Sequence, residues 1–157
     1  MAKLQLSEYL PYVLRRADQT LSAPFYAVLT QKKVARSEWR VLAVLYEFGA
    51  MGIAELTSAS LSPQPTVTHA VRRLEERHLV TRTPGEHDKR QRIVSVTKAG
   101  AKLTDSLMEE AKQLESELLS QVPDVADLIQ RLHEATESIQ QRIDDNAPDR
   151  WAIPAKV

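Results

Sequence analysis

Residues 62–97, SPQPTVTHAVRRLEERHLVTRTPGEHDKRQRIVSVT, change their hydrophobic period partway along, and this change constrains the fold more than any other feature of the chain. On a helical wheel anchored at Thr66, Val67, Ala70, Val71 and Leu74 fall on one face. Val80 to Thr83 and Arg92 to Val96 are β-branched and alternate, and PGEHDKRQ between them carries a Pro-Gly turn signal. The spacing predicts a helix that feeds directly into a β-hairpin with a charged tip. Ser62 as N-cap and Pro63 at the first helical position are expected to start the helix. Pro65 is tolerated because first-turn amides have no intrahelical acceptor.

The flanking segments are helical. Leu6, Leu10, Val13, Leu14, Ala17, Leu21, Val28 and Leu29 mark one long amphipathic helix that Pro24 is expected to bend. Ser37 is the expected N-cap of EWRVLAVLYEF, apolar almost all round, and Gly49 its stop. A short helix near Ile53 to Ala59 precedes the one after Ser62, so the pair predicts a helix-turn-helix. Thr97 caps a further helix along Leu103, Leu107, Ala111, Leu114 and Leu118 that Pro123 ends, and a last helix runs from Asp124 to Asp144. The terminal helices are too long and too apolar on one face for a compact module of roughly 70 residues to satisfy, so they are expected to pack with a second copy.

The expected class is mainly α (α+β): a winged helix-turn-helix domain at 37–97, with a helical dimerisation domain built from both chain ends, 1–36 and 98–146, and an irregular tail at 147–157. With 157 residues, 43% of them hydrophobic, the chain can bury a real core. Net charge is zero, but Lys and Arg number 15 against 9 acids in residues 1–100 and 6 against 12 in residues 101–157, so cation concentrates where the hairpin lies. The absence of cysteine excludes disulfides and thiol switches. No apolar run approaches the roughly 20 residues that span a bilayer, and no signal segment opens the chain, so a cytoplasmic protein without membrane contact is expected.

The chemistry of residues 62–92 suits DNA. Thr66, His69, Arg72 and Arg73 project away from the apolar face; hydroxyls, amides and imidazole can read base edges, and Arg can take guanine in a bidentate fork. Arg77 and Arg82 lie where phosphate contact is expected. The bland alternative is that Arg72, Arg73, Glu75, Glu76 and Arg77 merely solvate an exposed helix through pairs three or four apart. A cationic hairpin with Lys89, Arg90 and Arg92 weighs against it, because a globular fold seldom needs such a projection for stability. His69, His78, His87 and His133 are scattered, HEATE at His133 lacks a second histidine, and there is neither a phosphate loop nor a serine elbow. Neither an enzyme nor a cofactor or metal is expected.

At this point the sequence resembles the MarR family of transcriptional regulators, through SEWRVLAVLYEFG, PTVTHAVRRLEERHLVTR and DKRQRIVSVTKAG in family order and spacing. Asp88 and Arg90 match the family's Asp-x-Arg wing motif, which implies an Arg in the minor groove and an Asp that helps hold the wing. The expected DNA-binding set is Ser62, Gln64, Pro65, Thr66, Thr68, His69, Arg72, Arg73, Arg77, Asp88, Lys89 and Arg90. The chain departs from the pattern of many relatives at His69, where these carry Arg or Lys, and at His78, where these carry Gly. His69 would alter base preference and could make affinity depend on pH.

The resemblance implies a homodimeric repressor on double-stranded operator DNA, released by a small ligand, often an anionic aromatic, in a crevice between the dimerisation helices and the winged helix. Tyr9, Tyr12, Arg15, Arg16 and Trp39 are the expected ligand residues, since arginine beside stacking aromatics suits an aromatic or phenolic acid. The competing reading of those tyrosines and arginines is interface packing and surface ion pairs. Two other functions stay open: a constitutive architectural DNA binder without effector, and a winged-helix module that binds a protein.

Overall fold

A computed structural model describes residues 5–85 and 91–146. The chain divides into two compact units, Met1–Glu115 and Ser116–Val157. In the first, a 3-10 turn at Leu6–Glu8 ends at Tyr9, whose extended backbone (φ −85°, ψ 105°) caps helix α1, Leu10–Gln31. The single helix expected from Leu6 is therefore broken at Tyr9. Pro11 falls in the first turn, where its missing N–H costs nothing, and Pro24 lies inside the helix without ending it. Only Phe25 and Leu29 of α1 are buried; Leu10, Val13, Leu14 and Leu21 are exposed.

Helix α2, Arg36–Phe48, starts two residues before the expected position, and its N-cap is Ala35 rather than Ser37. The cause is Glu38 in the first turn, whose carboxylate accepts the Ala35 N–H at 2.9 Å and closes the helix start from inside. Val41, Leu42 and Leu45 are buried, but Phe48 is 65% exposed, so the helix is not apolar-packed all round. Gly49, at φ 84°, ends it in a conformation that side chains avoid.

A two-residue strand β1, Met51–Gly52, leads into α3, Ile53–Ala59, and a turn into α4, Gln64–Glu76. The α4 N-cap is Pro63, not Ser62: the Ser62 hydroxyl turns back to the Ser60 carbonyl at 2.9 Å and is spent in the turn. Strands β2, Val80–Pro84, and β3, Arg92–Val96, pair antiparallel from Val80–Val96 to Pro84–Arg92, and Gly85 N–H extends the ladder to the Gln91 carbonyl at 2.9 Å. The expected two-stranded hairpin is in fact three-stranded in the order β1-β3-β2, because Met51 and Gly52 pair with Val94 and Ile93.

One core joins α2, α3, α4 and the sheet through Val41, Leu42, Leu45, Leu56, Val67, Ala70, Val71, Leu74, Val80 and Val94. The face of α4 opposite this stripe is thereby fixed outward. A second cluster holds Phe25, Leu29 and Val34 against Leu107, with Trp39 and Ala111 beside it. Leu107 belongs to α5, Lys98–Leu119, which Thr97 caps as expected by accepting the Gly100 N–H at 3.0 Å. The second unit carries α6, Val125–Asn146, whose Leu128, Ile129, Leu132 and Ile139 are all exposed.

Candidate nucleic-acid interface

The buried stripe of α4 leaves Gln64, Pro65, Thr66, Thr68, His69, Arg72, Arg73 and Arg77 exposed. Five of them, Gln64, Pro65, Thr68, His69 and Arg72, line one open depression of about 490 Å³ at the start of the helix. An amide, a hydroxyl, an imidazole and a guanidinium thus converge on a single patch, the mixture of donors and acceptors that base edges in a major groove require. His69 Nδ1 lies 3.4 Å from Arg72 Nη2, and Arg72 Nε lies 3.7 Å from Glu76 Oε1 one turn on. Both contacts are loose and exposed, which leaves the Arg72 fork available outward.

Arg73 of α4 and Arg77 at its C-cap are placed differently. Arg73 Nε lies 2.9 Å from Glu38 Oε1, and Arg77 Nη1 donates to Glu38 Oε2 at 3.1 Å and to the Lys33 carbonyl at 3.0 Å. Arg82 on β2 pairs with Glu75. Of the charge pairs expected along α4 itself, only Arg72–Glu76 forms with the helical spacing; Arg73, Glu75 and Arg77 all take partners outside their own helix. Ser62 is half-buried in the turn before α4. Asp88, Lys89 and Arg90 lie outside the described residues.

His78 adopts the left-handed conformation (φ 58°) just past the α4 C-cap, a backbone position that suits glycine. Its carbonyl accepts the Thr97 hydroxyl at 2.8 Å, which fixes the turn that joins the helix to the hairpin. The Thr97 side chain thus ties the end of α4 to the sheet through a backbone carbonyl.

A second open cleft, about 450 Å³, is lined by Asp18 of α1, Trp39, Arg40, Ala43 and Val44 of α2, Ala59 at the end of α3, and Ser60 and Leu61 just after it. The Trp39 ring stands edge-on to Phe25 at 5.0 Å and 67°. Of the five ligand residues expected from sequence, the cleft includes Trp39 alone. Tyr9 and Tyr12 are 43% and 42% exposed, and Arg15 and Arg16 are exposed along the α1 surface, so none of the four lines this cleft. Asp18 and Arg40, which the sequence reading did not single out, line it as well. Arg40 directly follows Trp39, a clue available in the sequence, whereas the approach of Asp18 depends on how α1 and α2 pack.

Among the described residues no cluster of His, Asp and Glu could hold a metal ion, and no helix is long and apolar enough to cross a membrane. A MarR family model matches residues 34–91. The chain is 33% identical over 109 residues to the HTH-type transcriptional repressor NicR of Pseudomonas putida, covering 69% of each protein. It is also similar to the crystal structure of a MarR family transcriptional regulator from Silicibacter pomeroyi, with 31% identity and a TM-score of 0.77 over 87% of this chain and 99% of the other. At 23% identity, where likeness shows the fold alone, Bordetella bronchiseptica BpsR, whose DNA binding 6-hydroxynicotinic acid regulates, gives a TM-score of 0.75 over 86% of this chain and 98% of its own.

Proposed function

Since the chain belongs to the MarR family and is a transcriptional regulator rather than an enzyme, we propose that it acts as a homodimeric repressor of a near-palindromic operator, released by a hydroxylated aromatic acid. The observation that carries the reading is the outward patch of Gln64, Thr68, His69 and Arg72 on a helix whose opposite face is locked in the core. In this reading α4 enters the major groove, with base contacts from that patch and phosphate contacts from Arg73 and Arg77. Arg90 of the wing reaches the adjacent minor groove, where a narrow width concentrates negative potential.

The dimer is supported by the apolar residues that the described structure leaves uncovered, Leu10, Val13, Leu14 and Leu21 on α1 and Leu128, Ile129, Leu132 and Ile139 on α6. Uncovered apolar faces of that extent call for a protein partner, and two copies would place recognition helices about 34 Å apart, one turn of DNA. The effector belongs in the Asp18–Trp39–Arg40 cleft. Arg40 takes its carboxylate, Trp39 its ring, and Asp18 a hydroxyl or ring N–H; a ligand with acid and donor at opposite ends satisfies all three. Release follows if the ligand binds more tightly to a dimer with the wrong helix spacing.

Fluorescence anisotropy with the intergenic DNA beside the gene tests this, with unrelated DNA as control and a panel of hydroxylated aromatic acids as effectors. The expected result is specific, steeply salt-dependent binding that one acid abolishes and that Arg90→Ala removes from an intact dimer. Equal weak binding to both DNAs would instead favour an architectural or protein-binding role.

A further inference from the structure

Glu38 is fully buried on α2, yet it is ionisable, and among the described residues no other carboxylate pairs with the arginines that meet it. Its Oε2 accepts the Ala35 N–H at 2.9 Å and Arg77 Nη1 at 3.1 Å, while Arg73 Nε stands 2.9 Å from Oε1. Arg77 Nη1 also reaches the Lys33 carbonyl at 3.0 Å, so one guanidinium corner closes onto the turn between α1 and α2. Each arginine spends only part of its fork inward. Arg73 meets Oε1 through charge alone, since that oxygen accepts no hydrogen bond, whereas Arg77 donates from one terminal nitrogen and keeps the rest. Their side chains are 49% and 36% exposed, so both stay partly open to solvent while they meet the buried carboxylate.

We propose that Glu38 is a positioning residue for DNA binding: from inside the core it holds Arg73 and Arg77 as a fixed pair of phosphate clamps on the recognition helix. The inference rests on the DNA-binding reading and adds a role for a residue that cannot itself touch DNA. A free surface arginine must lose rotamer freedom when it meets a phosphate, whereas a guanidinium already held by a buried carboxylate has lost that freedom on folding. Because the guanidinium is a flat fork with five donors, it can bind Glu38 on one edge and a phosphate on another at once. Lysine cannot serve both partners with the same geometry.

The test is the salt dependence of operator binding for the wild-type protein, Glu38→Gln, and the double variant Arg73→Lys/Arg77→Lys, with circular dichroism and dimer size as fold controls. Glu38→Gln removes a negative charge, so simple electrostatics would strengthen binding. The proposal expects the reverse: roughly tenfold or greater loss of affinity, and a plot of log K against log salt shallower by about 0.9 for each phosphate no longer engaged. The charge-conserving double lysine variant is expected to show the same shallower slope. Tighter binding or an unchanged slope in a folded Glu38→Gln protein would overturn the proposal. If Glu38→Gln does not fold, the lysine variant decides, and a wild-type slope there would overturn it. A wild-type protein that binds no DNA would instead overturn the function on which this inference rests.

Discussion

Gly100, in the first turn of α5, lies so close to Leu79 that a Cβ there would fall 2.0 Å from the Leu79 carbonyl oxygen and 2.8 Å from Val96 Cγ2. That carbonyl cannot retreat freely, since it accepts the Thr97 N–H at 3.0 Å and the Thr97 hydroxyl at 3.2 Å. The start of α5 is therefore packed backbone to backbone on the junction between α4 and β2. Gly100→Ala is expected to destabilise the protein by about 1–3 kcal/mol, the range of overpacking that moves backbone. The urea midpoint measures it; a variant within about 0.5 kcal/mol of wild type would show that the junction yields.

Leu61 stands at φ 49° in the turn between α3 and α4 and is 90% exposed, so its side chain contributes little packing to offset the left-handed backbone. That conformation costs an L-residue about 1–2 kcal/mol, and the extra chain entropy of glycine returns part of the difference. Leu61→Gly is expected to raise Tm by about 2–4 °C, corresponding to roughly 1 kcal/mol. A lower Tm would mean that the leucine is held by contacts with a partner.

Hydrogen bonds from Arg82, more than simple charge attraction, hold the Glu75 carboxyl below its usual range, although burial pushes the other way. A carboxyl depressed in the folded state stabilises the fold above its unfolded value near 4.3, and the contribution fades as pH falls through the lower folded value. Wild type is expected to exceed Glu75→Gln in stability at pH 7 and to lose that advantage between about pH 5 and pH 3. Urea melts of both proteins at the two ends of that window provide the comparison. A gap that persists undiminished at pH 3 would assign it to packing instead of charge.

Arg40 and Asp18 face the same cleft as Trp39 and carry opposite charges. If the effector's carboxylate meets Arg40, Arg40→Ala should raise the ligand concentration needed for half-release by roughly tenfold or more, while affinity for operator without ligand stays at the wild-type level. Anisotropy titrations of the preformed complex read both quantities. Loss of operator affinity alone would place Arg40 in folding or DNA contact and not in the effector site.

Much of the fold was legible because it is local. Val67, Ala70, Val71 and Leu74 announced the inner face of α4, the alternation around Val80 and Val94 announced the hairpin, and Gly49 and Thr97 marked a helix end and a helix start. Each of these is set by a repeat of two or 3.6 residues, or by a cap acting across one turn, so the neighbours in sequence carry the information. The same periodicity turned Thr68, His69 and Arg72 outward, and with them the polar face on which the proposed DNA reading rests.

The order of residues along each element is enough to say which side chains face in and which face out; the packing of the elements against one another sets whom they meet. The stretch MG at 51–52 had no strand signal until Val94 and Ile93 came to lie beside it. Arg73 and Arg77 read as DNA contacts or as partners of acids along their own helix until α2 brought Glu38 beneath them, and Glu75 turned from its helical neighbours to Arg82 on β2. Asp18, Trp39, Arg40 and Ser60 became one cleft only when three segments converged. A helix period reports direction around a single axis, and pairing between elements depends on how the chain returns in space, a relation that burial of the whole core sets and no short repeat contains.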